Sequence, residues 1–221
     1  MQSTTSTKFK YERLSPENSA ILFVDHQTGL ANGVQDQSPP DFTNNVIALA
    51  KIAKLFEVPS VITSSFPDGP NGPIMPQVLD ILPDAPVIHR PGQVNAWDNE
   101  DFVKAVKNTG RKKLLIAGIA TEVCVAFVAL SAIEAGFEVY AVIDSSGTWS
   151  KLLQEIAVAR MVQAGAVPIT WFAVSCELQL DWRKPTGQAF AKLLAEHLPF
   201  YGNLIGSHNA ASAAALKAHN K

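Results

Sequence analysis

Three residues of reactive type stand just past three apolar runs. Asp25 follows "AILFV", Arg90 closes "PVIHR", and Cys124 lies six positions beyond the end of "KLLIAG". An acid, a fixed cation and a thiol at one place can form a nucleophilic site. The sulfur attacks an electrophilic carbon, the acid moves the proton, and the cation balances negative charge. Cys124 opens the helical stretch "EVCVAFVALSAIEAG" (122–136). In the first turn of a helix its thiol pKa is expected to fall, because unpaired N–H groups and the helix dipole favour an anion there. Arg90 nearby is expected to lower it further, since a guanidinium keeps its charge. The competing reading of Cys124 is a small buried packing residue, the usual place of a free cysteine.

Other chemistries are excluded by spacing. A phosphatase loop needs an arginine six positions after the cysteine, where Leu130 stands. A nucleophile elbow needs glycines two positions to either side, where Glu122 and Ala126 stand. "GIATEVC" lacks the later glycines of a dinucleotide loop, and there is no P-loop. The five histidines form no HxxH or HxH pair, so no metal is expected. His26 and His89 lie beside strand-end residues, but strand alternation turns them to the opposite face, which suits packing or hydrogen bonding better than ligation. Cys176 reads as packing. Phe66, Trp97 and Trp149 follow strand ends or loops and could line an apolar pocket; ordinary core packing explains each equally well.

The elements that must position these groups follow from periodicity. Short apolar runs at 20–25, 60–65, 86–90, 113–119, 137–144 and 166–172 read as six strands. Between them, Phe42, Val46, Leu49, Ala53 and Phe56 mark one face of a helix entered at Pro39-Pro40 and capped by Asp41. Further helices are expected over 97–110, capped by Asp98, over 122–136, closed by Gly136, and over 150–165. The loop 66–76 is too rich in Pro and Gly for either element. This alternation predicts an α/β fold: a single-domain three-layer αβα sandwich with a six-stranded, mainly parallel sheet. Ligands of such sheets bind outside the carboxyl ends of the strands, where Asp25, Arg90 and Cys124 fall. From about 174 the pattern changes to helix and irregular chain, read as a wrapping arm over 183–205 and an Ala-rich end.

Composition sets the outer limits. The chain has 221 residues, enough for one domain with a sizeable core, and is 47% apolar and 17% charged, as expected of a soluble globular protein. A formal charge of −2 gives no basic surface for nucleic acid or membrane. No apolar run nears the ~18 residues of a membrane span. The polar start "MQSTTSTKFK" reads as a tail without a signal-peptide core. Two cysteines make no disulfide framework, which points to a reducing, cytoplasmic setting.

With these residues identified, the sequence resembles the isochorismatase-like cysteine hydrolase superfamily, and within it the YcaC-like subgroup. The stretches that carry the resemblance are "ILFVDHQTGL" (21–30), "TSSFPDGPNGP" (63–73), "RPGQVNAWDNEDFVKAVKNTGRKKLLIAGIATEVCVAF" (90–127) and "WFAVSCELQLDWR" (171–183). It spans residues 14–206, with tails at 1–13 and 207–221. The resemblance implies a triad of Asp25, Arg90 and Cys124, with arginine where most of the superfamily has lysine. It implies a cis peptide at Ile119–Ala120 that turns the Ala120 N–H toward that of Cys124 as an oxyanion hole. Gln27 of the D-x-Q element and Thr121 of T-x-x-C would join Phe66, Trp97 and Trp149 around the substrate. The loop "PDGPNGP" lacks the histidine of the nicotinamidase metal site, so no metal or cofactor is implied. Members that cleave the vinyl ether of isochorismate dispense with the cysteine. The subgroup also implies a homo-octamer of stacked rings, with the loop 66–76 and the arm 183–205 as candidate contacts. The expected function is hydrolysis of a small amide or related carbonyl compound through a thioester. Two alternatives stand beside it: a catalytically weak assembly or binding protein, and a redox-responsive thiol protein.

Overall fold

The computed structural model describes residues 11–219; residues 1–10 and 220–221, which belong to the two segments read as tails, lie outside the described residues. Six strands form the sheet: β1 (Ser19–Val24), β2 (Ser60–Ser65), β3 (Val87–Arg90), β4 (Lys113–Gly118), β5 (Glu138–Val142) and β6 (Val167–Ile169). All neighbours pair in parallel, in the order β3-β2-β1-β4-β5-β6. The chain moves outward from β1 to β3, then returns to place β4 on the free side of β1. The reversal opens a crevice at the carboxyl ends of β1 and β4, the place where doubly wound sheets bind ligands.

In chain order the helices are α1 (Thr28–Ala31), α2 (Pro39–Leu55), α3 (Pro76–Ile81), α4 (Glu100–Asn108), α5 (Ala126–Glu134), α6 (Lys151–Ala164), α7 (Trp171–Gln179), α8 (Gly187–His197) and α9 (Pro199–His219). Every residue of β1 and β4 is buried. Their alternation divides the core into two layers. Ile21, Phe23, Leu115 and Ala117 pack with α2, α7 and α8, whereas Ala20, Leu22, Val24, Leu114 and Ile116 pack with α4, α5 and α6. A strand buried on both faces must be apolar throughout, which is why these runs read as continuous rather than alternating.

Several boundaries differ from expectation, each for a local reason. Helix α2 begins earlier than the Asp41 cap predicted: Ser38 is the cap, its Oγ accepting the Asp41 N–H at 3.2 Å and donating to the Asp41 carboxylate at 2.6 Å. Prolines 39 and 40 need no such bond in the first turn. Helix α4 starts later, because Ala96–Asp98 forms a 3-10 turn and Asn99, not Asp98, caps the Phe102 N–H at 3.0 Å. Strand β6 stops at Ile169. Thr170 caps α7, and the Trp171 N–H donates to Asp144 Oδ1 at 2.9 Å, so "TWF" leaves the sheet. The expected arm is helical: Trp182 stacks on Phe190 and Tyr201 at 5.0 and 6.1 Å, tying the α7–α8 link to α9. No helix among the described residues is long and apolar enough to cross a membrane.

His26 is buried beneath the crevice between Phe23 and Phe42. Its Nε2 meets the Ser145 carbonyl at 2.9 Å, and burial pushes its pKa down to about 4. The group is thus neutral when folded and charges more readily when unfolded. Its contribution is present above the unfolded pKa of ~6.5 and is lost as pH falls toward 4. Asp144, raised to about 6 chiefly by burial, acts in the opposite direction, since it favours the folded state more as pH falls. Replacing His26 by Gln should therefore flatten the acid limb. In urea unfolding at fixed protein concentration, the stability gap between wild type and His26→Gln should shrink by roughly 2.5 kcal/mol from pH 7 to pH 4.5. An unchanged gap would show that His26 does not titrate as described.

Candidate active site

Each site residue is positioned by the end of a strand. Strand β1 ends at Val24, and Asp25 takes a left-handed conformation (φ 57°), tolerated by aspartate better than by most residues. Its N–H still donates to the Thr63 carbonyl at 2.9 Å, while its own carbonyl accepts from the Gln27 N–H at 2.7 Å. The turn holds the Asp25 carboxyl inside, fully buried. On the other side of the crevice, Gly118 ends β4. A Cβ there would lie 2.1 Å from the Val24 carbonyl oxygen, so only glycine lets the two strands run this close. One residue further on, the Ile119–Ala120 peptide is cis.

Cys124 does not sit in the first turn of an α-helix. It lies in a π-helical segment, Thr121–Val125, which precedes α5. That segment is held to the loop after β5. The Thr121 N–H donates to the Gly147 carbonyl at 3.0 Å, and Thr148 Oγ1 donates to Glu122 at 2.5 Å. Asp36 in turn accepts from the Thr148 N–H at 3.0 Å and from Gln154 at 2.7 Å.

Arg90, at the end of edge strand β3, reaches across β2 to Asp25, a span of two strands or about 10 Å. It is fully buried and its donors are spent inside the protein. One nitrogen pairs with Asp25 Oδ1, Nε donates to Thr63 Oγ1 at 3.1 Å, and another nitrogen donates to the carbonyls of Gln93 and Val94 at 2.8 and 3.3 Å. The second carboxylate oxygen, Asp25 Oδ2, has no hydrogen-bond partner among the described residues. Burial pushes the Asp25 carboxyl above its usual range against the pull of Arg90. The Cys124 thiol and the Ser65 N–H approach closely enough to favour its charged form, although the Ser65 N–H makes its hydrogen bond to Gln27 Oε1, at 2.9 Å.

The expected thiolate is corrected here. The Cys124 thiol pKa is raised, not lowered: burial is the main cause, and the nearby Asp25 carboxyl adds to it. The approach of the Ala120 N–H to the sulfur and the charge of Arg90 pull the other way and are weaker. The resting thiol is therefore neutral, with the Asp25 carboxyl beside it.

Asp25 and Cys124 open into one cavity of about 220 Å³, lined also by Leu30, Ser65, Asn71, Val94, Ile119, Ala120, Val123 and Trp149. A larger hollow of about 520 Å³ lies between α2, α3 and the start of β2 and contains no nucleophile of this kind. Of the residues expected around a substrate, only Trp149 lines the cavity, where it packs over Gly33. Trp97 is placed elsewhere, edge-on to Phe102 and Phe137 in the second core layer. Phe66 is half exposed and folds over Gly69 of its own loop. Gln27 is buried behind the cavity, its amide shared between Ser65 and the Gly72 carbonyl. Thr121 is buried, holding Gly147 through its N–H. Sequence reasoning missed Leu30, Ser65, Asn71, Val94 and Val123. The turn signal "RPGQV" could have located Val94, because a Pro-Gly after β3 sends the chain back toward the sheet edge. Among the described residues, no cluster of three or more His, Cys, Asp and Glu gathers to hold a metal ion.

The isochorismatase domain pattern matches residues 19–172, which contain all three strand-end residues. YcaC of Escherichia coli strain K12, a probable hydrolase, is 53% identical over 199 residues, covering 90% of this chain and 95% of the relative. The chain belongs to the isochorismatase-like hydrolases, in the YcaC-like group. The structure of YcaC from Pseudomonas aeruginosa with hexane-2,5-diol and covalent acrylamide superposes with a TM-score of 0.89 and 54% identity, covering 91% of this chain and all of that one. The E. coli YcaC structure, an octameric hydrolase of unknown specificity, gives 0.89 and 52%, covering 92% and 99%.

For this isochorismatase-like site, Asp25→Asn removes the charge that opposes thiolate formation and leaves Arg90 unbalanced. The Cys124 pKa should fall by at least about one unit. The alkylation rate of Cys124 against pH reads this directly: wild type should still be rising at pH 9, and the variant should level off earlier. The variant should also lose about 3–5 kcal/mol of stability, the usual cost of stranding one partner of a buried pair. Identical alkylation profiles would remove Asp25 from the neighbourhood that controls the thiol.

Proposed function

We propose that this isochorismatase-like protein hydrolyses a small amide or related carbonyl compound through a thioester on Cys124. The observation that carries this is the shared cavity, in which the thiol faces a carboxylate whose Oδ2 oxygen has no protein partner. Arg90 anchors one carboxylate oxygen, so the other is the base. When substrate binds, the thiol proton passes to Asp25 and the sulfur attacks the carbonyl carbon. The N–H groups of Ala120 and Cys124 receive the developing oxyanion. Asp25 then protonates the departing nitrogen, and the amine leaves. Water, losing a proton to Asp25, cleaves the thioester, and that proton returns to the sulfur. A carboxyl whose pKa burial has raised suits both halves of this cycle, because it takes up a proton more readily than an exposed aspartate and can still give it back. Arg90 keeps its charge throughout and acts on Asp25 by charge and hydrogen bonding alone.

Two further observations support the reading. The Pseudomonas YcaC structure contains covalent acrylamide, which is both a small amide and an electrophile toward thiols. The raised thiol pKa of Cys124 fits substrate-triggered proton transfer and does not fit a redox sensor, which needs a standing thiolate. The free cysteines Cys124 and Cys176 accord with a reducing, cytoplasmic setting.

A panel of small amides with ammonia detection tests the reaction. Cys124→Ala should lower the rate by at least about a thousandfold on any amide the wild type hydrolyses, in the range seen when a catalytic nucleophile is removed. Retained turnover in that variant would rule out the thioester route. We also infer that the chain assembles as the E. coli relative does, into an octamer. Sedimentation should show a species of eight chains, and a monomer at micromolar concentration would contradict it. An intact octamer that releases no ammonia from any amide would favour an assembly role instead.

A further inference from the structure

The walls of the Cys124 cavity define the chemistry of what can enter. Leu30, Val94, Ile119, Ala120, Val123 and Trp149 make it predominantly apolar. Among the described residues, Asp25 supplies the one ionisable acid or base of the lining besides the Cys124 thiol, and it is an acid. Among the described residues, no lysine, arginine or histidine lines the cavity. Arg90 lies close by but is fully buried, its guanidinium engaged by Asp25, Thr63 and two backbone carbonyls. His26 is turned away to the Ser145 carbonyl. The remaining polar lining is uncharged. Asn71 donates through Nδ2 to the Ser65 carbonyl at 2.9 Å, which leaves its Oδ1 acceptor and the Ser65 hydroxyl without partners among the described residues.

These constraints bear on any ligand. A carboxylate buried here would meet no cation, would lie near Asp25, and would lose its water without compensation. The Ala120 N–H, which approaches the sulfur, is already assigned to the reacting carbonyl in the proposed route. The volume, about 220 Å³, lies below the usual range of ~300–1,000 Å³ for ligand pockets.

We propose that the substrate is a small, uncharged amide or carbonyl compound with a compact apolar group and no carboxylate. The inference rests on the thioester reading for the carbonyl and on the cavity walls for the charge and size. It can be tested without turnover, with two electrophiles that differ only in charge. Iodoacetamide is neutral and iodoacetate is an anion. In each case the sulfur bonds to the methylene carbon, iodide leaves, and the thiol proton passes to Asp25 or water. The exposed Cys176 serves as the internal standard and cancels the difference in intrinsic reactivity.

By mass spectrometry of the full chain, the ratio of iodoacetamide to iodoacetate rates at Cys124 should exceed that at Cys176 by at least tenfold. Val94→Lys, which adds a cation at the exposed rim, should narrow this excess several-fold. An equal ratio at both cysteines, a preference of Cys124 for iodoacetate, or failure of Cys124 to react with either reagent would overturn the proposal. If Val94→Lys does not fold, the wild-type ratio decides alone. A selective ratio without ammonia release from any amide would leave the neutral-ligand inference standing and remove hydrolysis. Hydrolysis of succinamate as fast as butyramide would do the reverse.

Discussion

The buried pair of Arg90 and Asp25 constrains most of the site. Two charges with no exposure are costly in a protein interior unless their hydrogen-bonding capacity is used. Thr63 and the carbonyls of Gln93 and Val94 complete the guanidinium. This requirement fixes several elements at once. Strand β2 must offer a hydroxyl rather than an aliphatic group at position 63. The chain after β3 must fold back so that its carbonyls point inward, which brings Val94 to the cavity wall. A lysine has fewer donors and no planar fork, and could not satisfy the carboxylate, the hydroxyl and both carbonyls together. The arginine therefore belongs to a supporting structure that includes three strand ends.

The same pair explains why the resting thiol is not ionised. The expectation of a thiolate rested on a helix N-terminus and a nearby cation. In the structure the cation is committed to Asp25, the segment around Cys124 is π-helical, and the sulfur is desolvated beside a carboxylate. Each change disfavours the anion. In the proposed route the proton passes from sulfur to the Asp25 oxygen that has no partner among the described residues, and a substrate carbonyl in contact with the Ala120 N–H would favour that transfer by stabilising the charge that follows. In that route nucleophile and base act as one coupled unit.

The fold was legible from sequence because a doubly wound sheet writes its central strands as uninterrupted apolar runs. "AILFV" and "KLLIAG" are buried on both faces, and both were placed within a residue. Errors gathered where side-chain capping competes over a few positions, as at Ser38 and Asn99, or where a strand ends in aromatic residues, as at Trp171. Strand ends also brought Asp25, Arg90 and Cys124 to one edge of the sheet. The pocket was far less legible. Phe66 and Trp97 have the right residue type and follow the right elements, but a loop's path decides where they point. Gly69 gives Phe66 a place to fold back, and Phe102 and Phe137 draw Trp97 into the core. Neither contact leaves a periodic signal.

Chemistry and selectivity are mechanically joined in this site. The loop from Gly147 to Trp149 holds the π-helical segment through Thr121 and Glu122, and its next residue is the aromatic wall. Asp36 grips the same loop from the far side, through the Thr148 N–H and Gln154. The position of the sulfur and the position of Trp149 are therefore not independent. A shift of this loop that widens the cavity also moves the Glu122 anchor and with it the alignment of Cys124 against Asp25. The opposite walls are linked more loosely: Asn71, on the loop after β2, donates to the Ser65 carbonyl that Gln27 also holds, and the Val94 side chain is at the exposed rim while its carbonyl accepts from Arg90. Substrate preference is thus freest to change on the β2 and β3 side. The β5 side is held by the same contacts that fix the segment carrying Cys124.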